Sequence, residues 1–399
     1  MIVNLPDVCN WGERMHLTSI PIYDHHAYSL FKEERWRAEP LEHYFTQNPS
    51  PEMLPFVRDS LFFRRSLRDL AEFFGCEPSL EALEETRRRH NYPELARWLF
   101  AEANISHLLI EDGQSSEDLW RAETYAPHLA LGVGRIVQLE AELEKLLDHH
   151  DSASRLLQAF EAHLRGLAPS VAAFKSVVAY RSGLDVGRHN LVELERAYSE
   201  LRRSLTSSQT PRITSKPLLD SMLWMALKVA SETGKVVQFH TGYGDPTLDM
   251  RLANPLGLRT VLEAPELHGQ KIVLLHSYPY VREAGYLASS YPGVYLDLGL
   301  TIPAGSVHAM RTALHEATHL APIRKVLFST SARHSPEMFW IAARWGRRIV
   351  AQVLEQAVYN GDLTNEEAEW AAQRILSLNA AELYGTFASH PTEPMVSLC

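Results

Sequence analysis

Apolar residues gather along the chain into eight short runs, at 19–25, 105–112, 131–140, 171–180, 235–241, 271–277, 293–299 and 324–330. Between them the apolar positions recur every three or four residues. Short continuous runs predict strands buried on both faces, and the 3.6-residue period predicts amphipathic helices. Their regular alternation predicts a parallel α/β architecture, and eight repeats predict a (β/α)8 TIM barrel.

The first connection breaks that rhythm. About eighty residues separate the first two runs, too many for a structureless loop in a compact domain. Within them 55–75 has helical apolar spacing, Ser79 precedes an acidic first turn, and 92–103 follows as a further helical stretch. These features predict a helical insertion, about 31–104, covering the barrel mouth. After the last run, one closing helix is expected to start near Ser335 or Pro336 and end at Gly361, and a second to start near Asn365. The only linker-like patch is 205–217, between two helices. Residues 1–399 therefore read as a single barrel domain.

A barrel carries its chemistry at the C-terminal ends of its strands, so the polar residues placed there are the candidates. Asp24, His26 and Tyr28 alternate along the first run and are expected to point one way, with His25 opposite. Lys175, Tyr180 and Arg181 follow the fourth run, His240 and Asp245 the fifth, and His276, Tyr278, Arg282 and Glu283 the sixth. Asp297 lies in the seventh. Ser329, Thr330, Ser331, Arg333 and His334 crowd the end of the eighth, ahead of a helix N-terminus that favours an anion. A single terminal histidine is more often structural than functional. Three of them, His26, His240 and His276, converge on one cavity if the strand count holds, and neutral imidazole is the commonest metal ligand.

Arg181 offers a planar fork suited to a substrate carboxylate; its structural alternative is an ion pair with Asp112 or Glu140. Arg282 and Glu283 serve equally to begin a helix, and Asp245 to form a turn. His149 and His150 sit among charges and read as solvated surface.

Composition narrows the partners. A net charge of -10 argues against sequence-independent nucleic-acid binding, which needs surplus Lys and Arg. Cys9, Cys76 and Cys399 are far apart and fit no structural zinc spacing, which suggests reduced thiols. The N-terminal stretch lacks the apolar core of a signal peptide, and no segment has the roughly 18 apolar residues of a spanning helix. A cytoplasmic protein without membrane partners is the expectation.

The strings YDHHAYSL, AFKSVVAYRSGL, VQFHTGYGD, VLLHSYPYVREAGYLASSYPGVYLDL and VLFSTSARHSPEMFW, in this order, resemble the amidohydrolase-related family, in particular the branch with the amidohydrolase-like domain of nodulin and FluG-type proteins. The resemblance spans about residues 19 to 386. It implies a distorted (β/α)8 barrel whose metal centre activates water for hydrolysis or, in some branches, supports decarboxylation. Carried over by position, it makes His26, His240 and His276 the metal ligands and places Tyr28 where a second strand-one histidine is expected. Lys175 falls near the position of a metal-bridging lysine. Ser331 stands where the strand-eight aspartate is expected to bind metal and take a proton from water.

Tyr28 and Ser331 together leave the deeper metal position with His26 alone. Three arrangements follow: one divalent ion, zinc first, held by His240 and His276 with His26 or a carboxylated Lys175; a metal-free pocket in which His240 and His276 act as acid and base, with Tyr28 and Ser331 alongside; or a binding protein without catalysis. The leading reading is C–N bond hydrolysis of a small anionic substrate oriented by Arg181, Tyr180, Asp245, Tyr278, Arg282, Glu283 and Arg333. Decarboxylation and a non-catalytic binding role are the alternatives, with a uronate isomerase the weaker enzyme alternative. The resemblance also implies a homo-oligomer.

Overall fold

The computed structural model describes residues 15–113, 116–204 and 212–387; most of the linker-like patch, Cys9 and Cys399 lie outside them. Each of the eight apolar runs contains a strand: β1 Ile22–Tyr28, β2 Ile105–Glu111, β3 Gly132–Gln138, β4 Ala173–Ser176, β5 Val236–His240, β6 Ile272–Leu275, β7 Val294–Asp297 and β8 Val326–Leu327. They pair in parallel in chain order, and the sheet curls into an α/β barrel of the TIM type. Neighbours in sequence are neighbours in space because each returning helix packs its apolar stripe on the sheet's outer face.

The curl has no regular ladder between β8 and β1. Irregular backbone closes it instead: Ser331 N–H donates to the His26 carbonyl at 3.0 Å, Tyr28 N–H to Ala332 at 2.9 Å, His334 N–H to Ser29 at 3.1 Å and Phe31 N–H to His334 at 2.9 Å. Inside the barrel Tyr23, Leu109, Ile136, Val236, Val273 and Leu327 pack on Ala380 and Leu383 of the last helix, Asn379–Tyr384, which plugs the lower end. The upper end is left to polar side chains.

The long first connection is helical, as its pattern predicts: α1 Glu33–Ala38, α2 Leu54–Val57, α3 Leu61–Phe74, α4 Leu80–Arg89 and α5 Tyr92–Glu102. Ser60, Ser79 and Asn91 cap α3, α4 and α5 by accepting first-turn N–H groups. Helices α3 and α5 lie along the barrel flank against the Pro336–Asn360 helix, while the stretch 44–47 reaches the mouth, where the Thr46 carbonyl accepts from Arg333 Nη2 at 2.7 Å. A buried ion pair, Arg87 Nε to Glu337 Oε1 at 2.5 Å, ties α4 to the start of that helix, and Trp36 Nε1 donates to the same carboxylate at 3.3 Å. The Pro336–Asn360 helix ends at Gly361, in the left-handed region, and the next begins at Asn365 behind a Thr364 cap. No helix among the described residues is long and apolar enough to cross a membrane.

Arg347 fastens this frame. From within the Pro336–Asn360 helix its guanidinium donates to the carbonyls of Leu17 (3.0 Å), Ala103 (2.7 Å), Ile20 (2.9 Å) and Asn104 (3.2 Å), joining the chain entering β1 to the end of α5. Burial holds its pKa down to about 10. Arg347→Leu removes these donors, leaving Leu17 and Asn104 only their backbone partners Ile20 N–H and Ile22 N–H, and is expected to cost about 2–5 kcal/mol, read as a lower urea midpoint with an unchanged m-value.

Candidate active site

The site begins with an irregularity in β1. Asp24 pairs with Leu108 and Ala27 with Ile110, so three residues of β1 advance against two of β2. This bulge breaks the strict alternation expected from the sequence. His25, expected to point away from His26, also turns into the barrel: its Nε2 lies 3.1 Å from Asp297 Oδ1 and its ring stacks on Tyr384. Asp24 faces the seam instead, accepting from Thr330 N–H at 2.9 Å and from the Thr330 hydroxyl. Burial pushes its carboxyl up to about 7 against those hydrogen bonds.

One amide fixes the orientation of His26. Gln238 Nε2 donates to the His25 carbonyl and to the Tyr384 hydroxyl, both at 2.9 Å, so its Oε1, 2.9 Å from His26 Nδ1, must accept. His26 therefore carries its proton on Nδ1 and turns the Nε2 lone pair inward. That lone pair faces Lys175 Nζ at 3.5 Å. Nζ also donates to the Tyr28 hydroxyl at 2.8 Å and lies 3.6 Å from Glu111 Oε2, with both charged side chains almost wholly buried.

His276 and His240 complete the cluster. Their ring centroids are 4.8 Å apart, and His276 is 5.5 Å from His26. His276 Nδ1 lies 3.2 Å from the Gly299 carbonyl, which leaves Nε2 for the cavity. Among the described residues neither nitrogen of buried His240 meets a side-chain partner; the Tyr243 backbone is the polar group beside the ring. Burial, reinforced by the Lys175 charge and by neighbouring imidazoles, drives His26 and His240 well below the usual histidine range, and burial takes His276 to about 4. All three rings are neutral at pH 7. Burial opposes the Lys175 ammonium too, but Tyr28 and Glu111 outweigh it and the pKa is raised.

Above the cluster opens a cavity of 250 Å³. Tyr28, Lys175, Tyr180, Arg181, His240, Asp245, His276, Ser331 and Arg333 all line it, as the sequence predicts. His26 stands behind them against Lys175. The Arg181 fork is taken by the Glu144 carboxylate and the Ile213 carbonyl, so its direct ion pair is with Glu144 and not with the expected Asp112 or Glu140, although its charge also acts on buried Glu140. Tyr278, Arg282 and Glu283 do not line the cavity. Tyr278 is 46% exposed, and the helix Val281–Ser290 starts there and carries Arg282 outward to Glu316 at 2.7 Å. The helix N-terminus after β8 is no free anion site either, because its own buried Glu337 accepts from Ser335 and pairs with Arg87.

Sequence reasoning missed Glu111 and Gln138 at the ends of β2 and β3, Gln238, Arg212, and Gln47 from the insertion; all but Gln238 line the cavity. A signal existed for Gln238, two residues before His240 and so on the same face of β5.

A divalent ion at the deeper position needs a second imidazole and a carboxylate. Tyr28 supplies a hydroxyl already accepting from Lys175, and Ser331 supplies a neutral hydroxyl. Among the described residues the group that faces the His26 lone pair, Lys175 Nζ, is itself a cation. Two unit charges about 4 Å apart repel by about 4 kcal/mol at an effective dielectric of 20, and a divalent ion doubles that. Among the described residues no three His, Cys, Asp or Glu side chains are placed to hold a metal. The residues present do not fit the metal centre that the resemblance implies.

With this geometry in place, the comparisons fall into line. The amidohydrolase family model matches residues 191–386. The protein fluG of Emericella nidulans is 30% identical over 412 residues, covering 94% of this chain and 47% of that protein, so the chain spans about half the length of this curated relative. A Lactobacillus casei protein provisionally assigned as a metal-dependent hydrolase superposes with a TM-score of 0.82 at 29% identity, over 92% of this chain and 96% of the other. The uronate isomerase of Thermotoga maritima, at 15% identity and a TM-score of 0.64 over 92% and 95% of the two chains, shares the fold.

The depressed imidazoles predict how stability follows pH. Below about 6.5 the unfolded chain takes up protons that buried His26, His240 and His276 refuse, so each lowers stability by about 1.4 kcal/mol per pH unit. For His276 the loss runs down to about 4. Asp24, protonated in the fold up to about 7, works in the opposite sense but is a single group. The urea midpoint is expected to fall from pH 6.5 to pH 5, and His276→Asn to reduce the slope.

Proposed function

We propose that this amidohydrolase-family chain is a metal-independent hydrolase that cleaves a C–N bond of a small anionic substrate. The observation that carries the reading is His240: a buried, neutral imidazole with no side-chain hydrogen bond among the described residues and only the Tyr243 backbone beside it, at the floor of a cavity ringed by Lys175, Arg212 and Arg333. A buried polar ring without a side-chain partner is costly in a structural role. In a reactive one it is available to water and substrate.

The parts then have distinct tasks. Arg333 and Arg212 at the mouth attract and orient the substrate's carboxylate. His240 takes the proton of the attacking water and, as the imidazolium this forms, returns it to the leaving nitrogen, while the unprotonated Nε2 of His276 accepts a hydrogen bond that orients the water. Lys175, permanently charged beside the scissile carbonyl, stabilises the oxyanion, and the hydroxyls of Tyr28 and Ser331 border the same point. The substrate must be small, since the cavity holds 250 Å³.

The test is release of p-nitroaniline from a panel of p-nitroanilides of dicarboxylic acids. Activity is expected to survive a chelator and to fall about 10²- to 10⁴-fold in His240→Ala. Because His276 stays neutral down to about 4, the rate should hold between pH 7 and pH 5.5 instead of falling below pH 6.5. Activity abolished by the chelator overturns the metal-independent step. No turnover across the panel, with carbon dioxide released from the matching free acids, assigns decarboxylation; tight binding without turnover assigns a binding role.

A further inference from the structure

Lys175 sits in an unusual shell for a lysine. Three acceptors surround Nζ: the Tyr28 hydroxyl at 2.8 Å, the His26 Nε2 lone pair at 3.5 Å and Glu111 Oε2 at 3.6 Å. The face of the Tyr28 ring adds a fourth contact, its centroid 4.7 Å from Nζ. The side chain is 1% exposed, and among the described residues Lys175 is the one cation paired with buried Glu111, whose Oε1 also accepts from Gly113 N–H at 2.7 Å and Gln138 Nε2 at 3.3 Å. An oxygen, a carboxylate and an imidazole nitrogen are what a divalent cation recruits.

The histidine spacing points the same way. Imidazoles bound to one tetrahedral ion at about 2.0–2.1 Å place their ring centroids about 5 Å apart; here successive pairs are 5.5 Å and 4.8 Å. With Lys175 in place these side chains form no ready metal group among the described residues; the tethered ammonium occupies the point that Glu111, His26 and Tyr28 face.

We infer that Lys175 Nζ is a covalently tethered substitute for a metal ion, and that deleting its charge uncovers a divalent-cation site made by Glu111, His26 and one or both of His240 and His276. Glu111 supplies the drive, because a buried carboxylate deprived of its partner must either take a proton or recruit another cation. The inference depends on donor geometry alone and holds whether or not the chain hydrolyses an amide.

The experiment compares the full chain with Lys175→Ala and Lys175→Met. Each is purified without chelators, incubated with zinc or cobalt chloride, desalted and analysed for metal. The parent is expected to retain less than about 0.1 equivalent and the variants about one, a roughly tenfold difference, with cobalt giving the visible absorption of a four-coordinate N/O site. Zinc should raise the melting temperature of the variants and leave the parent unmoved. A full equivalent in the parent overturns the inference, as does no uptake by folded variants. Should both variants fold only with zinc, the inference is supported; should neither fold at all, Tyr28→His with Ser331→Asp decides. With Lys175 retained, that double variant is expected to stay metal-free, and a stoichiometric ion in it overturns the inference.

Discussion

A closed parallel barrel has to return its last strand to its first, and here the return is made by single backbone hydrogen bonds instead of a ladder. Residues 331–334 exchange N–H and carbonyl groups with 26–31, and that exchange sets where everything above it stands. Ser331 and His334 both adopt positive φ to make it, a strain that non-glycine residues tolerate only where their surroundings hold them. The bulge in β1 belongs to the same adjustment: it turns both His25 and His26 inward and brings Tyr28 within reach of Lys175. The cavity is built where the sheet cannot be regular.

Electrostatics beneath the seam follow one rule, that a deeply buried charge must be answered. Lys175 is answered by Glu111, and Arg87 by Glu337. Among the imidazoles His25 pairs directly with Asp297, and for His276 burial outweighs the same carboxylate. His26, His240 and His276 therefore stay neutral, and their neutrality in turn lets one ammonium dominate the floor of the cavity.

Much of this was legible in the sequence, and the failures have identifiable causes. All eight strands and the helical character of the insertion followed from apolar spacing, because burial on both faces leaves a mark that tertiary context does not erase. Ser79 and Gly361 were legible for the same reason: backbone conformation restricts the residue directly. Histidines at strand ends were found as a group. Their orientation was not, since one extra residue in β1 reverses an alternation argument and leaves no trace in composition. Arg181 was read first as a fork for a substrate carboxylate, with an ion pair to Asp112 or Glu140 as the alternative; the carboxylate it meets is Glu144, four residues beyond Glu140. Glu111 and Gln238 were overlooked inside apolar strands, where a polar residue reads as an interruption. Tyr278, Arg282 and Glu283 failed through direction: position just past a strand end says nothing about whether the next helix starts toward the axis or away from it.

The Arg87–Glu337 pair carries a further meaning for how this architecture can be altered. It couples a helix of the insertion to the first turn after the seam, so the added helices are not an ornament that can be exchanged as a cassette. Swapping them for those of another barrel deprives Glu337 of its countercharge and loosens the turn that presents Arg333. Graft and host would have to change together, which makes the insertion and the mouth of the barrel a single inherited unit.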